Sequence, residues 1–253
     1  MSKTIQDIGG NAIVYNYPNG DFDIVCASEK WLKAPEWEVS FSEDKGRARA
    51  PAAREAGVKS QGDDQLRSMR RARANLRRLA LANDFQYFVT LTLSPDRIDR
   101  YDPKAIMKEV NVWLSNQVQR HGLRYILVPE MHQDGAFHFH GFVAGNGLTM
   151  RDSGVKRSDR PVFNWESWGY GFTVCQELYG EYSRAVAYCC KYIGKQSGER
   201  PMGRWYYSGG KLAKPEKNYV TLDYAEVRRE FEGEALEFQI PGTSMLVVHH
   251  HNI

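Results

Sequence analysis

The chain has 253 residues, 42% hydrophobic and 26% charged, with 34 Lys and Arg against 31 Asp and Glu for a formal net charge of +3. This composition excludes a disordered polymer, and the length allows one large domain with appendages. No apolar run approaches the roughly 20 residues of a membrane span, and the start Met1-Ser2-Lys3-Thr4-Ile5-Gln6-Asp7 lacks an apolar signal core, so a cytoplasmic protein without membrane contact is expected. Cys26, Cys175, Cys189 and Cys190 show no CxxC spacing and read as reduced, mostly buried thiols.

In chain order, Ala12-Ile13-Val14-Tyr15 and Asp23-Ile24-Val25-Cys26 flank Pro18-Asn19-Gly20, which predicts a β-hairpin. Residues 42–63 are polar, small and Gly/Ala-rich, as a linker is. Leu66, Met69, Leu76 and Leu79 then recur at helical spacing, with arginines on the other face, predicting a basic amphipathic helix. Charge is concentrated here: Lys45 to Ala80 holds eleven basic and three acidic residues, so the rest of the chain is net acidic. Such a block suits a polyanionic partner, although a solvated helix face has the same composition.

Phe85 to Leu93 is β-branched and aromatic and ends at Ser94-Pro95, as a strand does. Asp102-Pro103 is a helix start; Ile106, Val110, Trp113, Leu114 and Val118 form its stripe and Gly122 its stop. Tyr125 to Val128 and Ala136 to Ala144 predict two strands joined through Gln133-Asp134-Gly135, Phe172 to Leu178 a fourth, and Glu181 to Gln196 a helix. The tail from Glu216 holds short strand-like runs. The order describes an α+β fold, a sheet covered by helices. The expected divisions are 1–40, a hairpin region; 41–63, a linker; 64–215, the main domain opening on the basic helix; and 216–253, a C-terminal extension.

Three pieces carry chemistry. His138 and His140 stand two apart on a strand, so both imidazoles project from one face while Phe139 takes the other. Glu130, at the end of the preceding strand, is brought opposite them if the chain turns back at Gln133-Asp134-Gly135, with His132 and Asp134 as fallback ligands. A two-His, one-carboxylate set suits Mg²⁺ or Mn²⁺, and Zn²⁺ also binds imidazole. Tyr188-Cys189-Cys190-Lys191-Tyr192-Ile193-Gly194-Lys195 doubles a Tyr-x-x-Lys unit, and on a helix Tyr188, Lys191, Tyr192 and Lys195 share one face. Arg204-Trp205-Tyr206-Tyr207 with Lys211 interleaves rings with cations, as a single-strand path does, or as a packed aromatic edge does. His249-His250-His251 receives no role.

With these motifs in this order, the stretch from about Phe85 to Tyr207 resembles the HUH endonucleases, specifically the two-tyrosine replication initiators of rolling-circle phages and plasmids. Phe88-Val89-Thr90-Leu91-Thr92 is similar to the family's first, structural motif. The resemblance implies a central antiparallel sheet of RRM-like type with His-x-His on a central strand, and a divalent ion, Mg²⁺ or Mn²⁺, on His138, His140 and Glu130. It implies Tyr188 and Tyr192 as nucleophiles that form a 5′-phosphotyrosine, with Lys191 and Lys195 at the phosphate. Origin DNA, single-stranded or extruded, would be nicked and rejoined without a nucleotide cofactor, and held by Arg67, Arg70, Arg71, Arg73, Arg77, Arg78, Arg204, Trp205 and Lys211. No Walker-type loop is present, so unwinding would fall to a helicase of the bacterial host, and extension to its DNA polymerase. A transposase or relaxase of the same chemistry, or a non-catalytic DNA-binding repressor on the same scaffold, are the alternatives.

Overall fold

A computed structural model describes residues 9–29, 32–33, 61–180, 182–195, 200–240 and 243–251. In chain order the elements are β1 (Gly9–Gly10), β2 (Ala12–Asn16), β3 (Phe22–Ala27), β4 (Leu32–Lys33), α1 (Gln61–Leu81), β5 (Tyr87–Thr92), α2 (Pro103–His121), β6 (Arg124–Met131), β7 (Phe137–Ala144), β8 (Met150–Arg157), β9 (Arg160–Trp165), β10 (Thr173–Glu177), α3 (Tyr182–Cys190), β11 (Tyr207–Gly209), β12 (Glu216–Val220), α4 (Tyr224–Glu230), β13 (Leu236–Ile240) and β14 (Thr243–His250). The fold is α+β, with antiparallel sheets and, among the described residues, four helices. The chain divides into two compact units: Lys59–Lys214, and a second drawn from Met1–Val58 and Pro215–Ile253. Most of the expected linker, with Lys45, Arg47, Arg49, Arg54 and Lys59 of the basic block, lies outside the described residues. Residues 61–63 are the start of α1.

The larger unit is built on a seven-stranded antiparallel sheet, in the order β11-β6-β7-β5-β10-β9-β8. Strand alternation sends Val89, Leu91, Leu127, Phe139, Val143 and Cys175 to one face, where they pack with Ile106, Val110 and Leu114 of α2. Burying each aliphatic side chain here contributes about 1.5–3 kcal/mol. The signals read for α2 are the ones that bound it. Asp102 accepts bonds from the Lys104 and Ala105 amides, Pro103 opens the first turn, and Gly122 ends the helix in the left-handed region at φ 62°.

The opposite sheet face carries the histidines and meets α3 and α1. α1 buries Ala72, Leu76 and Ala80, whereas Leu66, expected in its apolar stripe, is exposed. Its Arg73 guanidinium donates to the Ile193 carbonyl at 2.7 and 3.1 Å, which ties α1 to the turn after α3. That turn revises the helix expected over 181–196. The α-helix stops at Cys190, and the chain continues through tighter three-residue bonds, with the Lys191, Tyr192 and Ile193 amides donating to the Tyr188, Cys189 and Cys190 carbonyls. Gly194 follows with φ 72°, a backbone that a helix-continuing residue does not adopt.

Two strands, β8 and β9, carry no signal in the sequence. They form a hairpin at the sheet edge whose turn residues Ser158 and Asp159 both have positive φ, 49° and 60°.

In the second unit the two ends of the chain, expected as separate appendages, join in one antiparallel sheet of order β12-β2-β3-β14-β13. The expected N-terminal hairpin is β2–β3, and β14 from the chain's end pairs with β3 from Met245↔Ala27 to His250↔Phe22. Ala12, Ile24, Cys26, Leu246, Val248 and Val227 of α4 make its core. The histidine run belongs to this sheet: His249 Nδ1 meets the buried Asp23 at 2.8 Å and His251 Nδ1 the buried Asp21 at 3.0 Å.

Candidate active site

The β6–β7 hairpin runs longer than expected and places Glu130 inside a strand instead of at a turn. Its register sets Glu130 opposite His138 and Val128 opposite His140, while β5 sets Thr92 opposite His138 and Thr90 opposite His140. Antiparallel partners share a face, so Glu130, His138 and Thr92 form one row and Val128, His140 and Thr90 the next. β6 and β7 lie so close that a Cβ on Gly141 would stand 1.9 Å from the Ile126 carbonyl oxygen. The missing side chain is a condition for this register.

His140 Nε2 meets Glu130 Oε2 at 2.7 Å, and Nδ1 meets Thr90 Oγ1 at 3.1 Å. Thr90 thus orients the ring so that Nε2 points along the sheet to the carboxylate, a supporting contact that the motif alone does not show. The second Glu130 oxygen accepts from Lys195 Nζ at 2.7 Å. His138 stacks on His132, ring centres 5.2 Å apart. Burial, then the charge of neighbouring His132, pushes the His138 pKa below its usual value. Burial likewise lowers that of His140, against the upward pull of Glu130.

Among the described residues no three His, Cys, Asp or Glu side chains stand ready as a ligand shell. The donor set of Glu130, His138 and His140 still fits a divalent ion in its chemistry: one hard carboxylate, two imidazoles held toward the neutral form, one face, and an oriented Nε2.

α3 and the turn after it cover this face. Val186, Cys189 and Ile193 are buried, as their spacing predicts, and Tyr188 is half exposed. The Tyr192 ring lies flat on His140, centres 3.9 Å apart and planes 9° apart. Tyr192 Oη donates to Tyr188 Oη at 2.6 Å. Burial, followed by that bond and the nearby Glu130 charge, raises the Tyr192 pKa well above a free phenol's. Lys195 Nζ lies 5.2 Å from the centre of the Tyr192 ring. Tyr188, Tyr192 and Lys195 therefore meet the metal-type residues at one place. Lys191 is exposed and has no ion pair among the described residues.

The residues expected to hold DNA are distributed differently. Arg70 and Arg71 are exposed, Arg67 is exposed and pairs with Asp64 at 3.1 Å, and Arg204 and Lys211 are exposed. Arg73 is engaged with the Ile193 carbonyl, and Arg77 and Arg78 are half-buried. Trp205 does not present its ring: it is buried, and its Nε1 donates to Ser68 Oγ of α1 at 3.0 Å, so its role here is packing. Of the fallback ligands, Asp134 is held by Arg100 at 3.2 Å, and its oxygen accepts from the Ala136 amide. The site also includes residues that the motifs did not reveal. A cavity of about 930 Å³ beside His140, Tyr188 and Tyr192 is lined by Phe88, Thr90, Gln176, Tyr179, Arg157 and Arg160, among others.

Comparison with known proteins agrees with this geometry. Residues 86–197, somewhat under half of the chain, match the family model of the ORF2 type of replication-associated protein. The matched segment runs from β5 through the turn after α3 and contains Glu130, His138, His140, Tyr188, Lys191, Tyr192 and Lys195. No curated protein and no solved structure matches the chain significantly. The segment 86–197 is thus that of a replication-associated protein of the ORF2 family, consistent with a rolling-circle replication initiator.

Proposed function

We propose that the protein initiates rolling-circle replication of a phage or plasmid replicon by nicking and rejoining single-stranded origin DNA. One observation carries the reading: two phenol oxygens 2.6 Å apart sit on the same sheet face as a His-x-His pair and a carboxylate, with Lys195 between them and Glu130. A phenol oxygen of Tyr188 or Tyr192 attacks the scissile phosphorus, and the P–O3′ bond breaks. The phenolic proton is lost, the released 3′ oxygen gains one, and the 5′ phosphate stays on the tyrosine. Because one phosphodiester replaces another, the reverse attack by a 3′-OH reseals the strand without a nucleotide cofactor.

His138, His140 and Glu130 would hold the divalent ion, Mg²⁺ or Mn²⁺, which when bound supplies polarisation of the phosphate oxygens. Thr90 fixes the His140 ring, and Lys195 places a cation beside the attacking phenol, where negative charge develops. The released 3′-OH primes a host polymerase, with a host helicase opening the duplex in the bacterial cytoplasm. No helix of the described residues is long and apolar enough to cross a membrane.

The test uses labelled single-stranded oligonucleotides tiling the replicon that carries the gene, incubated with protein and Mn²⁺. A denaturation-resistant adduct is expected with one of them. Absence of any adduct, or an adduct that survives replacement of both Tyr188 and Tyr192 by Phe, refutes the reading.

A further inference from the structure

The charge pattern of the sequence points to the arginines of α1 as the DNA-holding surface, but the cavity that reaches the tyrosines is lined elsewhere. Arg157 and Arg160 line it together with His140, Tyr188 and Tyr192, and none of its lining residues comes from α1. Arg157 and Arg160 are register partners at the tip of the β8–β9 ribbon. β9 pairs with β10 only at Phe163↔Cys175, so the outer part of the ribbon has no third strand, and residues 154–160 are exposed. A bulge between Asp152 and Lys156 bends the ribbon just before its tip, a device that re-aims side chains beside a site. Among the described residues neither arginine pairs with a carboxylate. Arg160 instead lies 5.3 Å from the centre of the half-exposed Tyr179 ring.

A second aromatic stands at the other end of this face. The β5–β10 ladder continues past Thr173↔Leu91, with the Thr92 amide donating to the Phe172 carbonyl at 2.8 Å. Phe172 therefore extends the row of Glu130, His138 and Thr92, and its ring is 78% exposed. Its backbone is held: Trp168 Nε1 donates to the Thr92 carbonyl at 3.1 Å, and the Ser94 amide to the Tyr170 carbonyl at 2.8 Å. An apolar ring kept in water on a fixed backbone is a ready surface for a nucleobase.

We propose that this face is the track for the single strand on either side of the scissile phosphate. Arg157 and Arg160 hold phosphates, Tyr179 stacks a base beside them, and Phe172 stacks a base beyond the His138 row. The inference rests on the nicking reading, which fixes where the scissile phosphate lies. The cavity of about 930 Å³ favours a single strand. It is on the order of 10 Å across, narrower than the ~12 Å major groove of a duplex alone.

The experiment measures fluorescence anisotropy of a labelled 15-nucleotide oligo(dT) with full-length protein in EDTA, over a range of NaCl concentrations. The pair Arg157→Ala/Arg160→Ala is expected to weaken binding and to flatten the slope of log K against log salt by about 1.4, roughly 0.7 for each phosphate lost. Tyr179→Ala and Phe172→Ala are each expected to weaken binding about tenfold with the slope unchanged. Arg157→Lys/Arg160→Lys, which keeps the charge, is expected to restore the slope, and unchanged circular dichroism of each variant shows that the fold is kept. Wild-type affinity and slope in the Arg157→Ala/Arg160→Ala protein, or tighter binding of a 15-base-pair duplex than of the single strand, overturns the track. The two readings fail separately. A missing tyrosine adduct with this binding pattern intact removes the nicking reading alone, and an adduct formed by wild type without the pattern removes the track alone.

Discussion

Tyr188 and Tyr192 share a hydrogen bond but not an environment. Tyr192 is stacked on His140 and gives its proton to its neighbour, with its pKa raised, so its phenol is the weaker nucleophile as placed. Tyr188 is half exposed, and its oxygen accepts the bond. First-strand cleavage is therefore expected to use Tyr188. Tyr188→Phe should lower single-turnover adduct formation at least a hundredfold and Tyr192→Phe less than tenfold, read by mapping the adduct peptide; an adduct confined to Tyr192 in the wild type contradicts this. Lys195 makes a separate prediction, because it occupies an oxygen of Glu130. Lys195→Met should bind Mn²⁺ more tightly, by calorimetry in a Tyr188→Phe/Tyr192→Phe background, while with both tyrosines present it slows cleavage roughly a hundredfold. Most of these residues are legible in the sequence, since period two puts His138 and His140 on one face and a short turn returns Glu130 to them. Thr90 and the stacking of Tyr192 on His140 are not, because they depend on strand register and on where the helix ends.

At the scale of elements, the readable ones carry their own boundary signals. α2 has an Asp-Pro start and a Gly stop, and both act where the sequence places them. α3 has no such stop in its first turns; it ends at Cys190 because the following amides bond three residues back and Gly194 leaves the right-handed region. The β8–β9 ribbon escapes sequence reading because its first strand is exposed and charged, so no apolar alternation marks it. Close strand approach is equally invisible without partners, and Gly141 is the case that matters most. Gly141→Ala drives a Cβ into the Ile126 carbonyl, and the expected result is a loss of about 1–3 kcal/mol in denaturant melts. The shifted β7 should also reduce adduct formation, and wild-type stability in this variant would refute the packing argument. β7 also predicts a pH effect on the metal-free protein. Its two histidines have folded pKa values below their usual 6.5, so the unfolded chain takes up protons first as pH falls. Their contribution to stability is complete above about 6.5 and is lost progressively below it. Tm in EDTA is expected to fall between pH 7.5 and 5.5, less steeply in His140→Gln, and a flat profile contradicts the assignment.

At the scale of the whole molecule, the two units differ in how the chain builds them. Everything from α1 to β11 is contiguous and closes its own seven-stranded sheet over its own core, including all the candidate catalytic residues. The other unit needs both termini: β2 and β3 come from one, β12, β13 and β14 from the other, and the cross-strand pairs His249–Asp23 and His251–Asp21 join them. A two-stranded hairpin by itself is marginal in water, and without β14 the apolar Ile24 and Cys26 lose Leu246 and Val248 as core neighbours. Two truncations should therefore behave oppositely. A chain of residues 59–214 is expected to stay soluble, resist limited proteolysis and form the tyrosine adduct at a rate within a few-fold of the full chain. A chain ending at residue 214 is expected to be cleaved rapidly before residue 59 by trypsin, because its N-terminal strands have lost their partners, while the 59–214 core survives. If the C-terminal truncation leaves the N-terminal hairpin protected, or if 59–214 fails to fold, the division of the molecule into one contiguous catalytic unit and one unit assembled from both ends is wrong.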